Sequence, residues 1–392
     1  MTDARARDLG IPLDGTPGRW NALTDVPGVQ IGYTTLVDPA VPVRTGVTAI
    51  LPRGRDGVGV PCAAGWHSLN GNGEMTGTTW IAESGMLDLP IAITNTHAVG
   101  PVHRGVIDWV VRTHPARGER WLLPVVAETW DGPLNDINGA HVRAEHAVAA
   151  LDAAASGPVA EGAVGGGTGM TCYGFKGGSG TASREVRYGT STYTLGAFAQ
   201  ANFGTRRELV IAGVHAGREL SRDAEAPPGE APPGEAPSGD ASPGDASPGD
   251  GREAPPGGAP PGEAPPGAGS VIVVVGTDAP LLPGQCAALA RRVPMGLART
   301  GTSGSHFSGD IFLAFSTANP GALTASFPGD DDEPYETIRF VPWGRLDPFY
   351  SAVAEAVEES VLNALTAGRA TPDRHGRTVP GLPHDAVRAW FA

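Results

Sequence analysis

The stretch Gly269-Ser270-Val271-Ile272-Val273-Val274-Val275 decides how this chain is read. Its β-branched run specifies a core strand, and the strand starts abruptly at a serine. Immediately before it, from Asp223 to Gly269, the sequence is almost entirely Ala, Pro, Gly and acid in a five-residue repeat such as Ala-Pro-Pro-Gly-Glu. That tract holds nine acidic residues and one basic residue, Arg252, so it carries −8 of the net −14. Glycine at every fifth position is not the every-third period of a collagen helix. With almost nothing apolar to bury, the tract cannot offset its ordering entropy, and an extended, disordered, polyproline-like loop is expected. Two readings of Ser270 follow. In one it is an ordinary serine opening a strand after a loop, since Gly-Ser is common turn chemistry. In the other its hydroxyl attacks the carbonyl of Gly269, and water hydrolyses the resulting ester. Ser270 then becomes an N-terminus carrying both a hydroxyl and an α-amine of pKa about 8, a base available near neutrality. Glycine before it lets the backbone bend towards the hydroxyl.

Composition bounds the rest. The chain has 392 residues, 40% of them apolar, enough for a sizeable core. A net charge of −14 without a basic block argues against nucleic acid or an anionic membrane as partner. No apolar run approaches membrane-spanning length. Met1 to Gly10 is polar, without the apolar region of a secretory signal. Cys62, Cys172 and Cys286 are odd in number and far apart, which fits a reduced, cytoplasmic protein better than a disulfide scaffold.

Strands are predicted at Val29 to Tyr33, Gly46 to Leu51, Gly57 to Val60, Ile91 to Thr94, Trp121 to Ala127, Tyr193 to Gln200, Glu208 to Gly213 and Asp310 to Ser316. Helical spacing marks Val99 to Arg112 and Gly139 to Ala155, and Gly284 to Arg299 with a break near Pro294. The clearest helix is Pro348 to Ala367, with Asp347 as N-cap, Gly368 as stop and an apolar stripe of Phe349, Val353, Val357, Val361 and Leu365. Many strands with interspersed amphipathic helices imply α/β layers rather than a bundle.

Further segments carry candidate chemistry. Ser308 and Asp310 stand at i and i+2, so on a strand they share a face, and a carboxylate there can polarise a hydroxyl. Such Ser/Gly/Asp clusters are also ordinary turns. Glu128, in Glu128-Thr129-Trp130-Asp131-Gly132, can bind a substrate ammonium at a strand end, with Trp130 as a pocket wall. Asn202 can donate its amide to an oxyanion. Val164-Gly165-Gly166-Gly167-Thr168-Gly169 lacks the Gly-Lys-Ser/Thr of a phosphate loop. His97 and His103 are six residues apart, outside the His-Glu-x-x-His pattern, so a metal-dependent hydrolase is the weaker alternative.

Taken in order, Thr24-Asp25-Val26-Pro27-Gly28-Val29, Asn70-Gly71-Asn72-Gly73-Glu74, Pro90 through His97, Glu128 through Gly132, Val164 through Met170, Gln200 through Gly204 and Thr277-Asp278-Ala279-Pro280-Leu281 resemble a known family. It is the autoprocessed L-aminopeptidase/D-esterase family, which includes the β-peptidyl aminopeptidases (DmpA-like enzymes). The resemblance covers nearly the whole chain outside the repeat tract. It implies a four-layer αββα sandwich resembling N-terminal-nucleophile hydrolases, one domain built from 1–222 and 270–392 with 223–269 as linker. It implies a cut between Gly269 and Ser270, and a homotetramer or larger assembly of the two-chain protomers. It makes Ser270 the nucleophile, Ser308 and Asp310 its supporting serine and acid, Asn202 the oxyanion asparagine and Glu128 the acid meeting the substrate's free amine. No metal or cofactor is implied, and the substrates are small peptides, amides or esters. Acyl transfer to an amine, as in the related ornithine acetyltransferases, is the neighbouring alternative. Asp310 is shorter than the glutamate some members carry. Trp130 stands where some relatives have tyrosine, so it is assigned to the pocket wall alone.

Overall fold

The computed structural model describes residues 4–225, 268–325 and 333–392. The repeat tract and its expected disorder lie almost wholly outside the described residues. The strands are β1 (Gln30–Asp38), β2 (Val43–Leu51), β3 (Cys62–Ser68), β4 (Met86–Leu87), β5 (Ile91–Asn95), β6 (Val125–Thr129), the short pair β7 (Thr171–Cys172) and β8 (Phe175–Lys176), β9 (Gly178–Tyr188), β10 (Ser191–Asn202), β11 (Gly269–Thr277) and β12 (Ser308–Ser316). One sheet has the order β1-β2-β5-β6, and the other β4-β3-β12-β11-β10-β9. The helices are α1 (Thr78–Ser84), α2 (Val99–Thr113), α3 (Pro115–Gly118), α4 (Ala144–Asp152), α5 (Ala216–Glu225), α6 (Pro283–Ala290), α7 (Val293–Arg299), α8 (Asp347–Thr366) and α9 (His384–Trp390).

Three apolar layers stack these elements. Between the sheets, Ile50, Ile91, Ile93 and Val125 meet Phe198, Ile272, Val274, Leu313 and Phe315. Outside the smaller sheet, Val47, Ala49, Ala92 and Val126 pack on Val102, Val106 and Trp109 of α2 and Ala150 and Leu151 of α4. Outside the larger sheet, Val271, Val273, Val275 and Phe312 pack on Leu289 of α6, Leu297 of α7 and the α8 stripe of Phe349, Val353, Val357, Val361 and Leu365. The result is the four-layer αββα sandwich. Strand β11 shows why its run is continuous rather than alternating. It is central in its sheet, antiparallel to β10 and parallel to β12, and buried on both faces.

Several local expectations need correction. Gly57 to Val60 is a turn, not a strand. Glu208 to Gly213 is not a strand either. A 3₁₀ turn at Arg206–Glu208 leads to a tight turn in which Ile211 and Val214 exchange backbone hydrogen bonds of 3.0 and 2.9 Å. The Trp121 to Ala127 strand begins only at Val125, past Pro124, which has no N–H to donate. The helix expected from Gly139 starts at Ala144. Asp347 is the first helical residue of α8, with Leu346 at the cap position. Strands β3 and β9 carry too many small and polar residues to be legible as strands.

Candidate active site

The start of β11, the end of β10, the start of β12 and the end of β6 converge on Ser270. Register places Ser270 opposite Asn202 on β10 and opposite Gly309 on β12, with Gly269 opposite Ser308. The Gly269 N–H donates to the Phe307 carbonyl at 3.3 Å. A Cβ built at position 269 would lie 2.0 Å from the Asn202 carbonyl oxygen, so the backbones approach at a distance only glycine permits. Gly309 is under the same constraint, with the Asn72 carbonyl 2.3 Å from where its Cβ would stand.

Ser270 is buried, and alternation along β11 puts its side chain on the inter-sheet side with Ile272 and Val274. There it faces the end of the other sheet. The Trp130 N–H, one residue past β6, donates to Ser270 Oγ at 3.1 Å. The Trp130 carbonyl accepts from Asn202 Nδ2 at 2.8 Å, and Asn202 Oδ1 accepts from the Thr171 N–H at 2.9 Å. The backbone of one residue therefore bridges the hydroxyl and the amide. Asn202 stands at the site, and one N–H of its amide is held by a carbonyl.

Ser308 and Asp310 share the opposite face of their strand, the side of Phe312 and Ala314. Ser308 Oγ donates to Asp310 Oδ1 at 2.5 Å. The pair is level with the Gly269–Ser270 bond but not on the face of the Ser270 hydroxyl. Asn70, in the loop after β3, donates from Nδ2 to Asp310 Oδ2 at 3.0 Å, and its Oδ1 accepts from the Asp310 N–H at 2.8 Å. Burial raises the Asp310 carboxyl above its ordinary value, against the opposing pull of its hydrogen bonds with Ser308, Asn70 and the Val271 backbone.

In front of Ser270 lies a cavity of about 500 Å³ lined by Thr96, His97, Glu128, Trp130 and Phe307 among others. Glu128 is the buried acid of this cavity, 2% exposed. Its Oε1 accepts from the Glu74 N–H at 3.0 Å, and its Oε2 accepts from the Thr96 hydroxyl. Burial raises its pKa, and these two hydrogen bonds oppose the rise. Trp130 lies with its indole over Gly132, where a Cβ would come within 2.7 Å of the ring. His97 borders the cavity, whereas His103 sits on α2. Among the described residues no group of three or more His, Cys, Asp or Glu side chains could hold a metal ion.

Residue-type reasoning missed Asn70, Thr96 and the Trp130 backbone. The motif Asn70-Gly71-Asn72-Gly73 signals only a turn, and a peptide N–H has no side-chain signature. It also passed over Asp131, buried with one oxygen unpartnered and pushed up by burial to about 6.

A serine heading the central strand of an αββα sandwich, with a carboxylate-bound hydroxyl on the next strand, places the molecule in the class of N-terminal-nucleophile folds. The solved L-aminopeptidase D-Ala-esterase/amidase of Ochrobactrum anthropi, described as a new variant among the Ntn hydrolase fold, superposes with a TM-score of 0.81 at 41% identity over 99% of this chain and 98% of that one. Within that class the chain belongs to peptidase family S58, whose model matches residues 21–379. It is similar to the β-peptidyl aminopeptidase BapA of Sphingosinicella microcystinivorans, 45% identical across 98% of this chain and 91% of that protein. It is also similar to a β-aminopeptidase structure from Burkholderia sp., with 44% identity, a TM-score of 0.82 and coverage of 98% and 97%.

Proposed function

We propose that this chain is a self-cleaving serine aminopeptidase that releases N-terminal residues from small peptides, amides or esters. The observation that carries the reading is the Ser270 hydroxyl at the head of β11, facing a cavity with the buried carboxylate Glu128 in its wall. Maturation begins with attack of Ser270 Oγ on the Gly269 carbonyl carbon. The C–N bond to Ser270 breaks as the ester forms, and the nitrogen takes up the proton as an amine. Water then hydrolyses the ester and leaves the Gly269 carboxylate, giving chains 1–269 and 270–392.

In turnover the free Ser270 amine takes the hydroxyl proton, with Ser308 and Asp310 beside the former 269–270 bond holding that amine. The Trp130 N–H already reaches Ser270 Oγ, which supports it as an oxyanion donor beside Asn202. Asn202 Nδ2 gives one N–H to the Trp130 carbonyl, and its second N–H is the donor offered to the oxyanion. Losing one such donor typically costs about 100-fold or more in turnover. Glu128, as a carboxylate, takes the substrate's ammonium. The similarity to β-peptidyl aminopeptidases supports β-amino acid derivatives among the substrates, and the L-aminopeptidase/D-esterase relative supports L-α and D-amino acid derivatives. Homotetramers or larger assemblies of the two-chain protomer belong to the same proposal, and light scattering on the cleaved protein checks them.

Intact-mass analysis is expected to show two fragments, the smaller beginning at Ser270. Ser270→Ala is expected to leave one uncut chain without turnover on aminoacyl p-nitroanilides. An uncut wild-type chain with full activity would overturn the reading.

A further inference from the structure

Asp310 is a buried carboxyl that must stay ionised and correctly turned if Ser308 is to hold the Ser270 amine. Few groups act on it. Ser308 lies on its own strand, the Val271 backbone on β11, and Asn70 comes from the loop after β3. No charged side chain among the described residues acts on Asp310. Among the described residues, Asn70 is therefore the one side chain from outside β12 that fixes it. It grips the aspartate at two points, accepting from the backbone N–H and donating to Oδ2, which leaves Oδ1 for the Ser308 hydroxyl. A third bond, from Asn70 Nδ2 to the Ser305 carbonyl at 3.0 Å, anchors the amide to the segment leading into β12. The same loop reaches the other acid. Four residues on, the Glu74 N–H donates to Glu128 Oε1. Between them Gly73 and Gly309 pack backbone to backbone, with 2.9 Å between the Gly309 Cα and the place of a Gly73 Cβ.

We infer that Asn70 is a positioning residue that keeps the Asp310 carboxylate turned towards Ser308 and charged during turnover. The inference rests on the serine aminopeptidase reading above. Asparagine suits this role because its amide offers an acceptor and donors in one plane. The Asn70 donor favours the ionised carboxylate, so its loss lets the neutral acid persist to higher pH.

The test is the pH profile of kcat/KM on an aminoacyl p-nitroanilide, using full-length protein whose cleavage is verified by intact mass. Asn70→Asp keeps an acceptor for the Asp310 N–H and replaces the donor with a like charge. Asn70→Ala removes both contacts. The acid limb is expected to move to higher pH in both variants, further in Asn70→Asp. The loss is about tenfold or more at the acid end and recovers towards wild type as the pH rises. A uniform loss at every pH, with the limb unmoved, would overturn the inference. Asp310→Asn separates the two levels. If it abolishes turnover while the Asn70 limbs stay fixed, only the inference about Asn70 fails. If it retains the wild-type rate and profile, the role given to Asp310 fails, and the inference with it.

Discussion

At position 269 the side chain is excluded by the backbone of β10, and at position 270 it is aimed into the cavity. Gly269→Ala puts a methyl group 2.0 Å from a carbonyl oxygen that belongs to a paired strand and cannot swing away. The strand end must shift, at a cost of about 1–3 kcal/mol, and the bond to be cut moves with it. The expected outcome is slowed or lost maturation, read as persistence of the 40.0 kDa chain by intact mass. Glu128 offers a second test. Its raised pKa means that the fold prefers the neutral acid, so ionisation at neutral pH costs stability. That cost disappears as the pH falls through the raised value, and the binding of a cationic amine disappears with it. Glu128→Gln is therefore expected to raise KM by about 10–100-fold while the melting temperature at pH 7 holds or rises. A fall in melting temperature with unchanged KM would mark a structural glutamate instead. The residue types Ser270, Ser308, Asp310 and Glu128 were legible in the sequence as candidates. Asn70 was not, because nothing local distinguishes an asparagine that closes a turn from one that grips a carboxylate 240 positions away.

Elements were legible where one physical pattern dominates. Strand β11 holds an unbroken β-branched run from Val271 to Val275, and α8 has an unbroken i+4 stripe with Pro348 in its first turn. Strand β9, Gly178–Tyr188, was hidden because its buried positions include Thr181, Ser183 and Arg184. These are tolerated only through distant partners. The Arg184 guanidinium pairs with Glu359 on α8 at 2.8 Å, and Arg7 reaches the same carboxylate at 2.9 Å. Burial alone would raise the Glu359 carboxyl, but Arg7 and Arg184 outweigh it and the pKa ends below its ordinary value. Its stabilising contribution is present above the ordinary carboxylate range and is lost as the pH falls through the depressed value. Glu359→Ala leaves the buried guanidinium of Arg184 without its closest carboxylate partner. A loss of about 3–5 kcal/mol is expected in urea denaturation at pH 7, shrinking as the pH falls through that depressed value. An equal loss at both ends of that range would point to packing rather than charge.

For the whole molecule, the two parts of the sandwich come from either side of the repeat tract. Helix α5 runs to Glu225, three residues into the tract as bounded from sequence, and β11 begins on its last residue, Gly269. If the tract is only a spacer, deleting most of Asp223 to Pro266 leaves maturation and turnover unchanged, since each halving of a spacer's length changes closure entropy by only about 0.6 kcal/mol. An uncut chain after the deletion would show instead that the tract presents the bond. No helix among the described residues is long and apolar enough to cross a membrane. The sequence by itself determined the layered α/β class, the core strand after Gly269 and the side chains with chemistry to offer, because composition and short-range periodicity encode what a segment buries. Only the tertiary structure decided that Trp130 bridges Ser270 and Asn202, that Asn70 grips Asp310, and that the Ser308–Asp310 pair and the Ser270 hydroxyl take opposite faces of one sheet. The hydrogen-bonded relations join residues 72 to 240 positions apart, or turn on a peptide N–H that every residue but proline carries. Sheet register settles them, and register is a property of the packed chain rather than of any one segment.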